Sequence, residues 1–188
     1  MPPKVKITKE EIVKTAVDLV RANGPSALNA RALAAELSCS TQPIFSNFAT
    51  MNELEQAVIL AAYELYAGFL KSESESGKYP PYKSYGMAYI HFAKEEKELF
   101  KLLFMRDRTE EDLSTIYPDF NESVQMIMKA NGVTAETARM IHLELWTFVH
   151  GIGTMLATSF LPLDWELISD MLTDVYQGIR ARHLSEEN

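Results

Sequence analysis

Apolar residues recur at intervals of three and four positions along most of the chain, the spacing that places side chains on one face of an α-helix. The first run begins with the capping-box pattern of Thr8 followed three residues later by Glu11, and it stops at Gly24. A second capping-box pattern, Thr50 to Glu53, opens a long apolar stripe. No alternating strand pattern competes with these runs, so the sequence predicts an all-α protein of about nine helices.

Two short helices joined by a tight turn are predicted in residues 29–48. Apolar residues at helical spacing mark both helices and suggest one small shared core: Leu33, Ala34 and Leu37 in the first, Ile44, Phe45 and Phe48 in the second. Asn29 is the expected cap of the first helix, and Ser40 is expected to accept a hydrogen bond from the N–H groups that open the second. Pro43 falls in the first turn of that helix, where its missing N–H is tolerated. The segment therefore has the form of a helix-turn-helix.

The second short helix carries polar residues that this core does not need: Thr41, Gln42, Ser46 and Asn47. They are short, uncharged and able to form hydrogen bonds, and they lie near a helix N-terminus whose partial positive charge attracts phosphate. A helix of this kind in the DNA major groove reads the edges of the bases with such side chains. The alternative is an ordinary solvated helical hairpin, because short helix pairs are common.

Residues 7–54 as a whole resemble the DNA-binding domain of the TetR/AcrR family of bacterial regulators. The family pattern is a first helix, a Gly-containing loop, a helix-turn-helix, an aromatic pair and a polar start to helix four; here it reads ITKEEIVKTAVDLVRANG, ARALAAELSCSTQPIFSNF and ATMNELEQAV. The resemblance implies a sequence-specific transcriptional regulator, most often a repressor, that binds a palindromic DNA operator as a homodimer. The residues expected to contact DNA are Lys9, Arg31, Ser40, Thr41, Gln42, Pro43, Phe45, Ser46, Asn47 and Thr50.

Three positions depart from the family pattern. Ser38 stands where glycine is usual, Phe45 where the family often has a tyrosine that reaches a phosphate, and Met51 where a phosphate-binding lysine is frequent. The first change is harmless to the fold, whereas the other two remove contacts to the DNA backbone. The phosphate contacts still expected come from Lys4, Lys6, Lys9, Arg31 and Thr50.

The rest of the chain is predicted to form a connecting helix and a helical body. Helix four, 51–71, follows the head, and the polar stretch 72–81, which contains glycine and proline, separates this helix from the body. Five further helices are predicted at 82–93, 97–104, 114–130, 135–160 and 165–182. Pro118 is expected to break or kink the first turn of the third, and Thr134 and Asp164 are the expected caps of the last two. The predicted domains are therefore a DNA-binding head, 1–50, and a ligand-binding and dimerisation body, 72–188.

The body is rich in aromatic residues and methionine, which together could line an adaptable apolar cavity between helices. For any single residue ordinary core packing is the alternative, because methionine and aromatic stripes mostly fill space. The segment 146–151, WTFVHG, resembles a Trp-x-x-x-His-Gly signature of one subgroup of TetR C-terminal domains. The resemblance implies a small-molecule effector that shifts the spacing of two heads. We expect a largely apolar ligand among Tyr89, Phe104, Trp146 and His150.

The last two helices are the expected dimer interface. Gly151 and Gly153 allow close approach of another helix, and a glycine in mid-helix costs about 1 kcal/mol against alanine, so a packing reason is expected. The final helix offers apolar residues for the same surface: Leu167, Met171, Leu172, Val175 and Ile179. Internal packing of the two glycines is the alternative.

The charge of the chain is unevenly distributed. The 188 residues have a formal net charge of -8, which argues against binding nucleic acid over the whole surface. Residues 1–50, however, carry six basic and four acidic residues, about +2, whereas the remainder carries about -10. Phosphate repels the acidic part, so the head alone is expected to dock on DNA.

The sequence disfavours several classes of protein. Charges interrupt the apolar stretches well short of a membrane span, and residues 1–8 lack the apolar core of a signal peptide, so a cytoplasmic location is expected. The single cysteine, Cys39, is expected to be a packed structural thiol. The four histidines lack metal-ligand spacing and no nucleophile motif is present, so we expect no metal, no cofactor and no enzymatic activity. The alternative function is a helical protein-interaction scaffold, or a small-molecule-binding protein without DNA specificity.

Overall fold

The computed structural model describes residues 7–107 and 118–186, with the side chains of 118–120 and 186 excepted. Within these residues the backbone forms nine α-helices and one short 3₁₀-helix, Pro25–Ala27, and contains no β-strand. The helices are α1 (Lys9–Asn23), α2 (Ala30–Glu36), α3 (Gln42–Asn47), α4 (Met51–Glu75), α5 (Pro81–Glu95), α6 (Lys97–Phe104), α7 (Pro118–Asn131), α8 (Ala135–Ala157) and α9 (Trp165–Glu186). The prediction of an all-α fold with about nine helices is confirmed.

Most of the expected helix caps are present. The Thr8 hydroxyl accepts a hydrogen bond from the Glu11 N–H at 3.1 Å while the Glu11 carboxylate accepts one from the Thr8 N–H at 2.8 Å, so the capping box of α1 is complete. Asn29 caps α2 by accepting from a backbone N–H at 3.0 Å. Thr134 caps α8, and Asp164 accepts two backbone N–H bonds at the start of α9. Each cap satisfies donors that the first helical turn leaves free.

The predicted cap of α3 is wrong. This helix begins at Gln42, the preceding Thr41 has helical dihedral angles (φ -70°, ψ -13°), and no side chain forms a cap hydrogen bond. A capping side chain reaches the free N–H groups when its own backbone is extended, which is not the case here. The Ser40 side chain is therefore exposed and takes no part in capping.

The connecting helix is longer than predicted. α4 continues to Glu75, so residues 72–75, at the start of the predicted linker, are helical. The chain turns only at Gly77, whose φ of +63° is readily adopted by glycine. The stretch between α4 and α5 is therefore shorter than the sequence suggested.

Two helices of the predicted body also differ at their ends. α8 ends at Ala157 rather than at Phe160, because Ser159 has a left-handed conformation with φ +55°. Pro118, expected to break or kink a helix, is instead the first residue of α7, a position that proline favours. Residues 114–117, the predicted start of that helix, lie outside the described residues.

The chain divides into two compact units. The first unit contains α1, α2, α3, the part of α4 up to Ala67, and α6. The second unit contains the part of α4 from Gly68, together with α5, α7, α8 and α9. Although α6 lies within the stretch 72–188 assigned to the body, it packs on α1 and on the 3₁₀-helix of the first unit.

The first unit has an apolar core to which α1, α2, α3 and α4 all contribute. Its fully buried residues include Ile12, Ala16, Val20, Leu33, Ile44, Phe48, Leu54 and Val58. Burying one side chain of this size stabilises the fold by about 1.5–3 kcal/mol. At the edge of the unit, Arg21 donates to Asp18 and to Glu96, each at 2.8 Å, and so ties α1 to the residue before α6.

The second unit combines an apolar cluster with paired polar groups. Residues of α7, α8 and the segment between them form a buried cluster: Val124, Ile127, Val133, Ala138 and Ile141. The Tyr82 hydroxyl lies 2.8 Å from Nδ1 of His142, and burial lowers the pKa of His142 to about 4. Burial also raises the pKa of Tyr82, which therefore keeps its proton and donates to the neutral histidine. A histidine that must stay neutral links the stability of this unit to pH.

None of the described helices combines the length and apolar character that crossing a bilayer requires. Among the same residues, no three His, Cys, Asp or Glu side chains come together as a metal site. Cys39 is a half-buried free thiol in the turn between α2 and α3.

Candidate nucleic-acid interface and aromatic cluster

The turn between α2 and α3 sets the direction of the second short helix. Ser38 is left-handed, with φ +51°. Its N–H bonds to the Ala35 carbonyl at 3.0 Å, and the next N–H, of Cys39, bonds to the Ala34 carbonyl at 2.9 Å. These two bonds form a Schellman motif, in which the left-handed residue is usually glycine because a Cβ is disfavoured there. The family's usual glycine at this position therefore has a backbone reason, because the turn requires the left-handed conformation that Ser38 adopts here.

Two of the four residues expected to contact bases have side chains without a hydrogen bond to the described part of the protein. Gln42 is exposed and Thr41 is half-buried, and neither side chain forms a hydrogen bond within the described part of the chain. A glutamine amide offers a donor and an acceptor side by side, which matches the major-groove edge of adenine. The start of α3 therefore presents the chemistry that base recognition needs.

The other two residues expected to contact bases are already hydrogen-bonded. The Ser46 hydroxyl donates to the Gln42 carbonyl at 2.9 Å. The Asn47 amide is half-buried and donates to the carbonyls of Pro43, at 2.8 Å, and Ile7, at 3.4 Å. Asn47 thereby ties the segment before α1 to α3, and only the oxygen atoms of these two side chains remain as acceptors.

The three described residues expected near phosphates differ in the contacts that their side chains already make within the protein. Arg31 is exposed on α2 and has no ion-pair partner in residues 7–107 or 118–186. Lys9 Nζ lies 3.2 Å from a Glu53 carboxylate oxygen and 4.6 Å from the centre of the Phe48 ring. The Thr50 hydroxyl accepts a hydrogen bond from the Glu53 N–H at 3.1 Å and keeps its own proton free to donate. Of the two cations, Arg31 is therefore the one without an ion pair within the described residues.

Glu53 holds Lys9 in place, a role that the sequence did not suggest. Its carboxylate accepts the Ala49 N–H at 2.7 Å, and this bond, followed by the one from Lys9, lowers the pKa of Glu53. The second capping-box pattern signalled that Glu53 would reach back along the chain. Nothing local signalled Lys9, which is 44 residues away.

The remaining residues of the predicted interface lie around α3. Ser40 is exposed, and Pro43 is half-buried in the first turn. Phe45, which the apolar spacing had assigned to the shared core, has 47% of its surface exposed, so that assignment is wrong. The buried face of this short helix is supplied by Ile44 alone. Lys4 and Lys6 lie outside the described residues.

Three of the four residues expected around an effector lie together in the second unit. Tyr89 of α5 is buried, and its hydroxyl is 2.8 Å from Nδ1 of His150 on α8. The Trp146 indole, one helical turn earlier, stacks on the His150 ring with centroids 5.2 Å apart and planes 13° apart. Burial lowers the pKa of His150, which favours the neutral ring. The group offers two flat aromatic faces and a polar imidazole.

Phe104, the fourth expected residue, belongs to the first unit. There its ring packs edge-on against Tyr63 and Tyr66 of α4, at centroid distances of 6.1 and 5.5 Å. It also contacts Phe100, one turn earlier on α6, at 5.2 Å. The aromatic pattern found this residue, but it gave no sign that Phe104 packs with the helices of the first unit.

A further group of polar and aromatic residues was missed by the sequence analysis. Glu73, His91, Lys94 and Trp165 line a cleft of about 220 Å³ in the second unit. They come from α4, α5 and α9, so no local motif could have brought them together. His91 had been considered only for metal-ligand spacing, which it lacks.

Comparison with protein families identifies the C-terminal part of the chain. Residues 83–176, half of the chain, match the model of the tetracyclin repressor-like C-terminal domain. No curated protein sequence matches the chain.

Solved structures with the same fold cover nearly the whole chain. A TetR-like transcriptional regulator from Rhodococcus sp. RHA1 aligns over 94% of this chain and 96% of its own, with a TM-score of 0.69 and 14% identity. A TetR-family member from Streptomyces coelicolor A3 aligns over 88% and 96%, with a TM-score of 0.64 and 17% identity. The multidrug binding protein EbrR, complexed with imidazole, aligns over 88% of both chains, with a TM-score of 0.57 and 19% identity. At these identities the likeness establishes the fold.

Proposed function

This chain belongs to the TetR family of DNA-binding transcriptional regulators, and we propose that it is a repressor that a small, largely apolar ligand releases from a palindromic operator. Members of the family are regulators and not enzymes, so the prediction that this chain is not an enzyme is confirmed. The repressor role, the operator and the ligand class are the parts that we propose.

The surface of α2 and α3 is the observation that carries the proposal. Gln42 is exposed with a free amide, and Arg31 is exposed with an unpaired guanidinium within the described residues. Both sit on a head that the sequence places near +2.

The side chains divide the work of recognition according to their chemistry. We assign base contacts to Gln42 and Thr41, and acceptor roles at base edges to the oxygen atoms of Ser46 and Asn47. The exposed ring of Phe45 suits a sugar or a thymine methyl group. Phosphate contacts are assigned to Ser40, Thr50 and Arg31, with Pro43 in van der Waals contact. Lys9 can bind a phosphate only when its ion pair with Glu53 breaks.

A homodimer follows from the need for two half-sites. One head covers only a few base pairs, so useful specificity requires a second head separated by about one DNA turn, ~34–36 Å, or a multiple. The outer face of α8 carries exposed apolar residues at helical spacing, Met140 (43%) and Leu143 (47%), and the start of α9 adds Leu167 (49%). A Cβ at Gly151, farther along the same face, would meet nothing within 4 Å. This open apolar surface fits a second copy of α8 and α9.

The effector site is proposed at Tyr89, Trp146 and His150 of the second unit. Aromatic faces suit an apolar ligand, and the His150 imidazole offers one polar contact. EbrR, a multidrug binding protein that shares this fold, was solved in complex with imidazole, so the fold can hold a small molecule. For release, the ligand must bind the DNA-incompetent arrangement more tightly, by about 1–3 kcal/mol for a typical allosteric effect.

The test is an electrophoretic shift with the DNA upstream of the chain's own gene at physiological salt. We expect retardation that survives an excess of unrelated DNA, and lower expression of a reporter placed behind the same DNA. If unrelated DNA competed completely, the protein would have no DNA specificity and the proposal would be wrong. A screen for ligands that raise the thermal unfolding temperature, followed by release from DNA, then tests the effector site.

A further inference from the structure

The cleft lined by Glu73, His91, Lys94 and Trp165 is separate from the proposed effector site, none of whose residues lines it. Its volume of about 220 Å³ is below the roughly 300–1,000 Å³ of pockets for drug-sized ligands. It corresponds to about seven water molecules at their volume in the liquid. The space suits a small molecule of about one ring with a substituent.

Glu73 determines how the imidazole of His91 faces the cleft. The Glu73 carboxylate, whose side chain is 14% exposed, lies 3.0 Å from Nδ1 of His91 and accepts a hydrogen bond from the Nδ1–H. The ring is held edge-on by Phe69, at 5.2 Å, and by Trp165, at 5.4 Å. Within the described residues Nε2 has no hydrogen-bond partner. One ring nitrogen is thus used for positioning and the other is left for a ligand.

Lys94 supplies a charge that the protein itself does not neutralise. Its ammonium group lies 5.6 Å from the centre of the Trp165 ring. No carboxylate in the described part of the chain lies within ion-pair distance of it. The one carboxylate of the cleft, Glu73, is already bonded to His91. The Lys94 ammonium is therefore left without a carboxylate bonded to it.

We propose that this cleft binds a small carboxylate with an aromatic or apolar body. The carboxylate pairs with the Lys94 ammonium. When Nε2 of His91 carries a proton, it donates a hydrogen bond to the same carboxylate. The body of the ligand packs on the Trp165 indole. A cationic ligand is disfavoured, because Lys94 already occupies the position over the indole that a cation would take.

Benzoate is the probe, and the full chain carrying Trp146→Phe is the protein, so that Trp165 is the one remaining tryptophan of two. Titration should give a saturable change in Trp165 fluorescence with one site per chain. Lys94→Met should weaken binding at least tenfold, and His91→Gln should weaken it less. The matched control is Lys71→Met, an exposed lysine paired with Glu75 outside the cleft, which should leave the affinity unchanged.

A series of ligands with the same ring but different charge separates the contribution of the carboxylate to binding from that of the ring. Benzyl alcohol should bind at least tenfold more weakly than benzoate, and benzylamine should not bind. Calorimetry of benzoate with the unsubstituted chain checks that Trp146→Phe has not created or destroyed the site, and circular dichroism checks that each variant is folded. Equal binding of benzylamine and benzoate, an unchanged affinity in Lys94→Met, or no saturable signal by either method overturns the proposal.

Discussion

At the scale of single residues, Ser38 shows most directly how a backbone requirement limits a side chain. A left-handed conformation costs a residue with a Cβ about 1–2 kcal/mol, and φ is +51° here. Glycine removes this cost but gives up about 0.4–1 kcal/mol through the greater freedom of the unfolded chain. We therefore expect Ser38→Gly to raise the free energy of unfolding by up to about 1 kcal/mol, measured by urea denaturation.

The control for this change is Ser40→Gly, two residues later. Ser40 is exposed and has no positive φ, so glycine there brings only the entropic loss and should lower the free energy of unfolding by a few tenths of a kcal/mol. Equal destabilisation by the two substitutions would contradict the strain at Ser38.

Gln42 and Arg31 should have separable effects on DNA binding. Gln42→Ala should reduce the preference for one base by about 1–3 kcal/mol, because a base edge loses its partner. Arg31→Ala should weaken binding to all sequences alike and reduce the slope of log affinity against log salt by about one, because one phosphate contact is lost. Fluorescence anisotropy with operator variants at several salt concentrations measures both. Identical behaviour of the two variants would refute the assignment.

His142 should make stability depend on pH. Its pKa in the folded protein is about 4, against about 6.5 when unfolded, so between these values the unfolded chain binds more protons. The stabilisation that comes from keeping His142 neutral is fully present above pH 6.5 and is lost as the pH falls toward 4. For one group, the free energy of unfolding falls by at most about 1.4 kcal/mol per pH unit. Urea denaturation across this range measures the slope.

His142→Gln is the matched variant for this measurement. It keeps a hydrogen-bond acceptor for Tyr82 but cannot titrate, while every carboxylate contributes equally in both proteins. The slope between pH 4 and 6.5 should therefore be shallower in the variant. Parallel curves would mean that His142 is not the group responsible.

At the scale of elements, α2 shows how a very short helix depends on its cap. It has seven residues, too few for an isolated helix to be stable, and Asn29 supplies its side-chain cap. Asn29→Ala should lower the free energy of unfolding by about 1 kcal/mol, as measured by urea denaturation. Asn29→Asp keeps the acceptor and adds a favourable charge at the helix N-terminus, so its stability should stay within a few tenths of a kcal/mol. If the aspartate variant lost as much stability as the alanine variant, the cap would not be the cause.

At the scale of the whole molecule, the proposed dimer places the exposed face of α8 against a second copy. Leu143 is 47% exposed in the single chain, so Leu143→Glu should cost the fold little, yet in a dimer it would bury an unpaired charge. We expect light scattering to show a monomer for Leu143→Glu and a dimer for the unsubstituted chain at micromolar concentration.

Leu60→Glu is the control, because Leu60 is even more exposed, at 62%, but lies on α4. It should leave the dimer intact. A monomeric unsubstituted chain that still binds DNA specifically would exclude the dimer altogether, and loss of the dimer in both variants would place the interface elsewhere.

The sequence alone determined the helices and most of their caps. The periodicity of apolar residues and the capping pattern at Thr8 and Glu11 involve residues at most four positions apart, and such interactions form wherever the helix forms. The same local rules identified the caps Asn29 and Thr134. They failed at Ser40 because α3 begins at Gln42, which places Thr41 and not Ser40 at the cap position.

Only the tertiary structure decided which helical faces meet. Helical spacing predicts that a residue lies on an apolar face, but not which helix covers that face; Phe104 is an example, since its ring packs against α4 in the first unit. The bond between Tyr89 and His150 joins residues 61 positions apart. The cleft around His91 likewise combines residues of three helices. Their packing pairs Glu73 with His91, and it leaves Lys94 with the Trp165 ring but without an ion-pair partner in the described part of the chain.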